Sequence, residues 1–280
     1  MPALKLHHLS AGTLCPLSAR LVNGEGGLLA PAKMVCHCWL IESDEGLILV
    51  DTGVGSRDLA DVRGRLGPMF KHVVRPDTAP ETTAIAQVRA LGFDPAEVRH
   101  IIPTHLDLDH AGGLPDFPAA TVHVFEAEHR AAMHPATAAE RERYRRVHFS
   151  HGPRWDLRSE QGEGWFGFRG VRALDRLEEI LLIPLLGHTR GHCGVAVRTE
   201  SGWLLHAGDA YFFHGEMAER YHCTPGLRLF QRLAAVDDRL RRENQARLRE
   251  LVRDHGSQVR VHCAHCPVEF QAHEHARESS

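Results

Sequence analysis

Lysine is almost missing from this chain of 280 residues: it stands only at Lys5, Lys33 and Lys71, and arginine carries nearly all the positive charge. Acids and bases almost cancel, 36 Asp and Glu against 33 Lys and Arg, for a formal charge of −3. The basic residues are interspersed with acidic ones, which leaves no electrostatic footprint for a nucleic-acid backbone, so no nucleic-acid partner is expected. Long apolar runs are missing as well. One of the longest, "ILLIPLL" at Ile180 to Leu186, is far short of a membrane span, and the start "MPALKLHHLSAGTLCPLSARL" has no uninterrupted apolar core of a signal peptide. The expectation is a soluble, unexported protein without a membrane partner. The seven cysteines are an odd number spread over a long chain, which is no disulfide framework. They suit a reducing compartment, and the cytoplasm is the expected location.

With 43% hydrophobic residues the chain can bury a substantial core. "HCWLIESDEGLILVDTGVG" reads as two short strands around a turn at Gly46, and "HIIPT" as a buried strand opening into a polar loop. In "DTAPETTAIAQVRALGF" a capping residue, Pro80 near the first turn, apolar Ile85, Val88 and Leu91, and a stop at Gly92 predict a helix. "ATVHVFEAEHRAAM" is a strand feeding a helix. From about 134 to 170 a charged helical stretch and a Gly- and aromatic-rich segment predict an inserted helix and a long loop. "ILLIPLLG" resumes the strands, "CGVAVRTESGWLLHAGDA" is a hairpin around Ser201 and Gly202, and helices follow from Arg232 to Gly256. "QVRVHCAH" closes as a strand, and the tail 271–280 is expected to fray. Hairpins alternating with helices predict two sheets between helical layers, in one domain over residues 1–280.

The stretch "PTHLDLDHAGG", Pro103 to Gly113, crowds two histidines and two aspartates into six positions. Extended backbone would turn His105, Asp107 and Asp109 to one side and Leu106 and Leu108 to the other. Imidazole nitrogen and carboxylate oxygen are good donors for zinc, iron or manganese. The same donors recur at strand ends in "GHTRGH" (His188, His192), "HAGDA" (His206, Asp209) and "VHCAHC" (His262, His265). Four such clusters in order point to one metal site assembled on a rim.

The ordered series "DTG", "THLDLDHAGG", "GHTRGH", "AGDA" and "AHCPVEF" resembles the metallo-β-lactamase-fold hydrolase superfamily, in particular its branch similar to quorum-quenching N-acyl homoserine lactonases. The resemblance covers roughly Cys36 to Phe270. It implies an α+β, four-layer αββα sandwich with a dinuclear site between the sheets. By position it implies that His105, Asp107 and His192 hold a first metal, that Asp109, His110 and His265 hold a second, and that Asp209 bridges them. Asp51 would support the ligands by hydrogen bonds. His188 would be structural.

Two departures from the family pattern stand out. Asp107 occupies a position where histidine is commonest, and Cys266 follows His265 where aspartate is frequent. The carboxylate at 107 is a harder, anionic ligand of shorter reach, with three readings open: it coordinates the first metal, it shifts preference toward iron or manganese, or it leaves that site weaker. It also resembles the diiron branch of the fold, whose chemistry is redox and which works with a fused flavin domain. Cys36, Cys38, Cys263 and Cys266 are read as small packing residues rather than a second metal cage.

The resemblance implies two divalent ions, zinc first, that lower the pKa of a water from about 15.7 toward roughly 7 and polarise a carbonyl. Asp109 would orient that water or move its proton, and Tyr211 would hydrogen-bond the carbonyl of a small-molecule substrate. His37, His214 and the aromatic residues Phe149, His151, Trp155, Trp165 and Phe166 are candidates for pocket walls. The expected activity is hydrolysis of a lactone or carboxylic ester. The alternatives are a metal-dependent oxidoreductase acting on a thiol or oxygen, and a noncatalytic metal-binding protein.

Overall fold

The computed structural model describes residues 4–278. One six-stranded sheet runs in chain order through β1 (Lys5–Leu14), β2 (Met34–Ser43), β3 (Gly46–Val50), β4 (Val98–Ile102), β5 (Thr121–Phe125) and β6 (Arg154–Arg158). A second six-stranded sheet contains β7 (Glu163–Trp165), β8 (Phe168–Leu174), β9 (Leu177–Pro184), β10 (Cys193–Thr199), β11 (Gly202–His206) and β12 (Val259–His262), with β7 and β12 at its edges. The predicted hairpins are both present: β2 pairs antiparallel with β3 around Gly46, and β10 with β11 around Gly202.

The two sheets face each other. Trp39, Ile41, Ile48, Val50 and Ile102 of the first pack against Val171, Ile180, Leu182, Val195 and Leu204 of the second. On its outer side the first sheet is covered by helices through Ala84, Val88, Ala131 and Ala132, and the second by helix Asp238–His255 through Leu248 and Leu251. The central strands are buried on both faces, which is why "VCHCWLI" reads as a continuous apolar run rather than an alternation. Layering is thus αββα, as the resemblance implied.

The predicted helix is present as Ala84–Ala90 but begins later than expected: Pro80 lies in a separate single turn, Pro80–Thr82, the Thr83 hydroxyl caps the helix by accepting from the Ala86 amide, and it ends just before Gly92 at φ 90°. The segment from 134 to 170 differs from expectation. Its charged part is a helix, Ala138–Arg143, capped by Thr137, but the long loop is largely replaced by β6, β7 and the start of β8. β6 and β7 are sheet-edge strands, and edge strands rich in charge and glycine lack the apolar alternation that announces a strand. The aromatic residues there are core: Phe149 and Trp155 pack on the first sheet, Trp165 and Phe166 on the second. The last helix, Pro267–Glu278, runs through most of the tail expected to fray, and residues 279–280 lie outside the described region.

Parallel pairing decides where the polar loops emerge. β3 is parallel to β4 and β11 to β12, so the segments after Val50, Ile102, His206 and His262 leave at carboxyl ends of neighbouring strands. All four donor-bearing motifs that follow a strand therefore open on one rim.

Candidate metal centre

The "THLDLDH" segment is not an extended ribbon. A short helix, Leu108–Ala111, starts directly after Asp107, whose carbonyl accepts from the amides of His110 at 3.1 Å and Ala111 at 2.9 Å. The turn carries Asp109 and His110 to a different side from His105 and Asp107, and so divides the motif between two groups of donors.

In the first group, His105 Nε2 lies 3.3 Å from Asp107 Oδ2 and 3.8 Å from Asp209 Oδ2. His188 Nε2 completes it, 3.2 Å from Asp107 Oδ2 and 3.3 Å from Asp209 Oδ2. In the second group, His110 Nε2 is 3.3 Å and His265 Nε2 3.1 Å from Asp209 Oδ1, and Asp109 Oδ2 is 3.5 Å from His265 Nε2. Asp209 therefore turns one carboxylate oxygen to each group. The His105, His188 and Asp209 donor atoms lie within 4.8 Å of one another, as do those of His110, Asp209 and His265.

His192 does not join them. Its Nδ1 donates to the Leu185 carbonyl at 2.9 Å, and its Nε2 accepts the Asp209 amide at 2.9 Å, so neither ring nitrogen has a lone pair left for an ion. Of the two histidines of "GHTRGH", it is His188 whose Nε2 faces Asp107 and Asp209. His192 holds the turn that presents Asp209; Gly208 in that turn sits at φ 52°, and a Cβ there would lie 2.6 Å from His192 Nε2. Tyr211 is also elsewhere. It is fully buried beneath the second sheet and donates to Glu269 Oε1 at 3.0 Å. Its neighbour Phe212 faces the centre, stacked on His265 with ring centroids 5.2 Å apart.

The supporting shell begins with Asp51, which adopts a left-handed backbone, φ 56°, directly after β3. Asp51 accepts the Thr104 amide at 2.7 Å through Oδ1, and its Oδ2 meets His110 Nδ1 at 2.8 Å. That bond leaves Nε2 of His110 pointing at Asp209. The Val35 carbonyl orients His265 in the same way through Nδ1 at 2.7 Å.

Two further residues have no signal in the sequence. Glu128, buried in helix Glu126–Met133, accepts from the Leu106 amide, the Tyr144 hydroxyl, the Thr189 hydroxyl and the Gly191 amide at 2.6–3.0 Å, which locks the His105 and His188 loops together. Arg143, at the end of the inserted helix, places Nε 3.1 Å from Asp107 Oδ1 and donates to the carbonyls of His188 and Ala234. "EAEHRAAM" and "AAERERYRR" read as ordinary solvated helices, and only the tertiary contact distinguishes these two side chains. Glu128→Leu is expected to cost about 3 kcal/mol or more, since four donors lose their acceptor in the interior. Urea unfolding at unchanged slope checks it; a loss below about 1 kcal/mol would show that the loops hold without the carboxylate.

Electrostatically the centre is built for a cation. Burial opposes the charge of Asp209, yet His265, His110 and His188 hold its carboxyl well below the usual carboxylate range. Asp107 is likewise held well below it, against burial, by Arg143 and His105. Burial disfavours charged His110 and His265 too, but Asp209 and its acidic neighbours raise both well above an ordinary histidine. The negative charge that draws protons onto these rings is equally available to a metal ion. His105 Nε2 and Asp209 Oδ1 are buried without a hydrogen-bond partner, as donors awaiting a metal are. The residues present fit the ions that the sequence motif implied.

A cavity of about 450 Å³ adjoins the second group at His265 and Phe212. Val22, Met34, Phe213 and Leu227 make much of its wall apolar, and Asn23, Lys33 and His214 add polar groups. None of the aromatic residues of the 149–166 segment reaches it.

An αββα sandwich that collects histidines and carboxylates on one rim defines a class of metal-dependent hydrolases. The chain belongs to the metallo-beta-lactamase superfamily, whose sequence pattern matches residues 32–252. It is 41% identical over 271 residues to the protein named "Probable metallo-hydrolase Rv2300c" of Mycobacterium tuberculosis, covering 96% of this chain and 83% of that one. It is 30% identical over 264 residues to the N-acyl homoserine lactonase AttM of Azorhizobium caulinodans, covering 92% of each. Among solved structures, an N-acyl homoserine lactone hydrolase with N-hexanoyl-L-homoserine at its catalytic metal centre superposes with a TM-score of 0.73 at 23% identity, over 97% of both chains. The chain is accordingly a metal-dependent hydrolase related to lactonases. No helix among the described residues is long and apolar enough to cross a membrane.

Proposed function

We propose that the protein is a dinuclear hydrolase that opens a lactone or cleaves a carboxylic ester. The observation that carries this reading is Asp209, with Oδ2 facing His105 and His188 and Oδ1 facing His110 and His265, while Asp107 adjoins the first two histidines and Asp109 adjoins His265. These two groups would hold two divalent ions, His188 taking the place that the sequence motif gave to His192. An all-histidine and carboxylate set suits zinc, with iron or manganese also compatible because of its oxygen donors. Such ions supply Lewis acidity and lower the pKa of water toward neutrality.

The chain's own groups do the rest. Asp109, the partly exposed carboxylate of the second group, accepts a proton from the attacking water and passes it to the leaving oxygen. Phe212 and the apolar wall exclude bulk water and receive the organic part of a small-molecule substrate. Arg143 offsets the charge of Asp107, so the first group carries the charge it would have with a histidine at 107; this weighs against a redox centre distinguished by that carboxylate. All seven cysteines are free, which agrees with a cytoplasmic setting.

Elemental analysis together with a lactone and ester panel tests the reading. At least two divalent ions per chain are expected, with ring opening lost on chelation and restored by zinc or manganese. Redox-active iron without hydrolysis, or hydrolysis that survives removal of metal, would overturn it.

A further inference from the structure

A second concentration of imidazoles lies beside the rim centre, and none of its members belongs to either group of donors described above. His8 of β1, His37 of β2, His206 of β11, His262 of β12 and His273 of the last helix meet between the sheets beside Trp39. His37, His206 and His262 are buried, and His8 and His273 are half-buried on the outer side. Ring centroids are 4.7 Å apart for His37 and His262, 5.3 Å for His206 and His262, and 5.5 Å for His37 and His206. Three imidazoles bound tetrahedrally to zinc at about 2.0–2.1 Å have centroids roughly 5 Å apart, so the rings already stand at the spacing of a chelate.

Hydrogen bonding explains only part of the cluster: His37 Nε2 meets His8 Nδ1 at 2.8 Å. Both ring nitrogens of His262, and Nδ1 of His37, are buried with no partner. A buried polar atom without a partner is destabilising, and packing alone would be served better by leucine or phenylalanine at these places. The three rings offer nitrogens within 4.8 Å of one another, against about 3.3 Å around a tetrahedral zinc, so small side-chain rotations close the set. His206 already uses Nε2 on the His37 carbonyl at 2.8 Å; its Nδ1 accepts the Gly208 amide at the longer distance of 3.2 Å, and that is the bond an ion would displace.

We propose that His37, His206 and His262 form a further binding site for a borderline divalent transition-metal ion such as zinc, copper or nickel, entered past His8 and His273. The donors are all imidazole, which selects against calcium and magnesium. Burial and mutual repulsion hold His37 and His262 well below the ordinary histidine range, so each keeps a neutral ring with a lone pair at neutral pH. With no carboxylate among the three ligands, the site is the weaker one and fills after the acidic centre on the rim.

Titration of the metal-stripped protein with zinc or cobalt(II), followed by elemental analysis and cobalt absorption, tests this. His262→Leu is expected to lose one equivalent relative to the unaltered protein and the corresponding cobalt band, with hydrolysis unchanged. Asp209→Ala should keep that last equivalent while losing the others, which separates this site from the rim centre. Equal stoichiometry in the unaltered protein and His262→Leu would overturn the proposal. Should His262→Leu not fold, anomalous diffraction from zinc-soaked crystals of the unaltered protein decides: a peak between His37 and His262 supports the site, and its absence there at full rim occupancy refutes it.

Discussion

Replacing Asp209 by alanine is expected to strip the rim centre of its metals and to lower kcat/KM for any hydrolysed substrate by about 10³-fold or more. Loss of ion-derived charge stabilisation is worth several kcal/mol, and each 1.36 kcal/mol is about tenfold in rate. Among the described residues no other side chain presents oxygens to both groups: His105 and His188 face Oδ2 while His110 and His265 face Oδ1. The fold should persist, since the Asp209 amide still donates to His192 in the alanine variant. Elemental analysis and activity are read together. Two tightly held ions in Asp209→Ala would mean that the carboxylate does not bridge.

The second large effect is a contrast between two histidines four positions apart. His188→Ala should lose one ion of the rim pair and about 10²-fold or more in kcat/KM, because removing a direct ligand exceeds the 10–100-fold cost typical of removing a supporting partner. His192→Gln should keep both ions and instead lose about 1–3 kcal/mol of stability, as the Leu185 carbonyl and Asp209 amide lose well-formed bonds. The reverse pattern, with metal lost from His192→Gln and retained in His188→Ala, would overturn the assignment of His188. Metal content and denaturant midpoints of the two variants suffice to decide.

That contrast also marks where the sequence stops being informative. "GHTRGH" offers two imidazoles of identical chemistry, and nothing local says which one keeps a free nitrogen. The choice is made by Leu185 and by the 207–209 turn, which arrives from another strand. The same holds just beyond Asp209: a two-residue offset favoured Tyr211, but the turn through "GDAYFF" buries Tyr211 against Glu269 and gives the face to Phe212. His105, Asp107, Asp109, His110, Asp209 and His265 were legible because their donor types recur at strand ends, and parallel pairing brings those ends to one rim. The layered fold was legible for a related reason, since hairpin turns at Gly46 and Gly202 and helix caps are local chemistry. β6 and β7 were not, because their strand character comes from pairing at an edge rather than from their own composition.

Arg143 reaches Asp107 from the inserted segment, and each of its other two nitrogens donates to a carbonyl, those of His188 and Ala234. An aspartate-to-histidine exchange at 107 alone would leave that guanidinium enclosed without its counter-charge, a change that typically costs about 3–5 kcal/mol. Losing the arginine first would leave an unscreened carboxylate instead. The two positions are therefore energetically coupled: an exchange at 107 is expected to be tolerated best together with replacement of Arg143, and a double-mutant cycle measures the coupling.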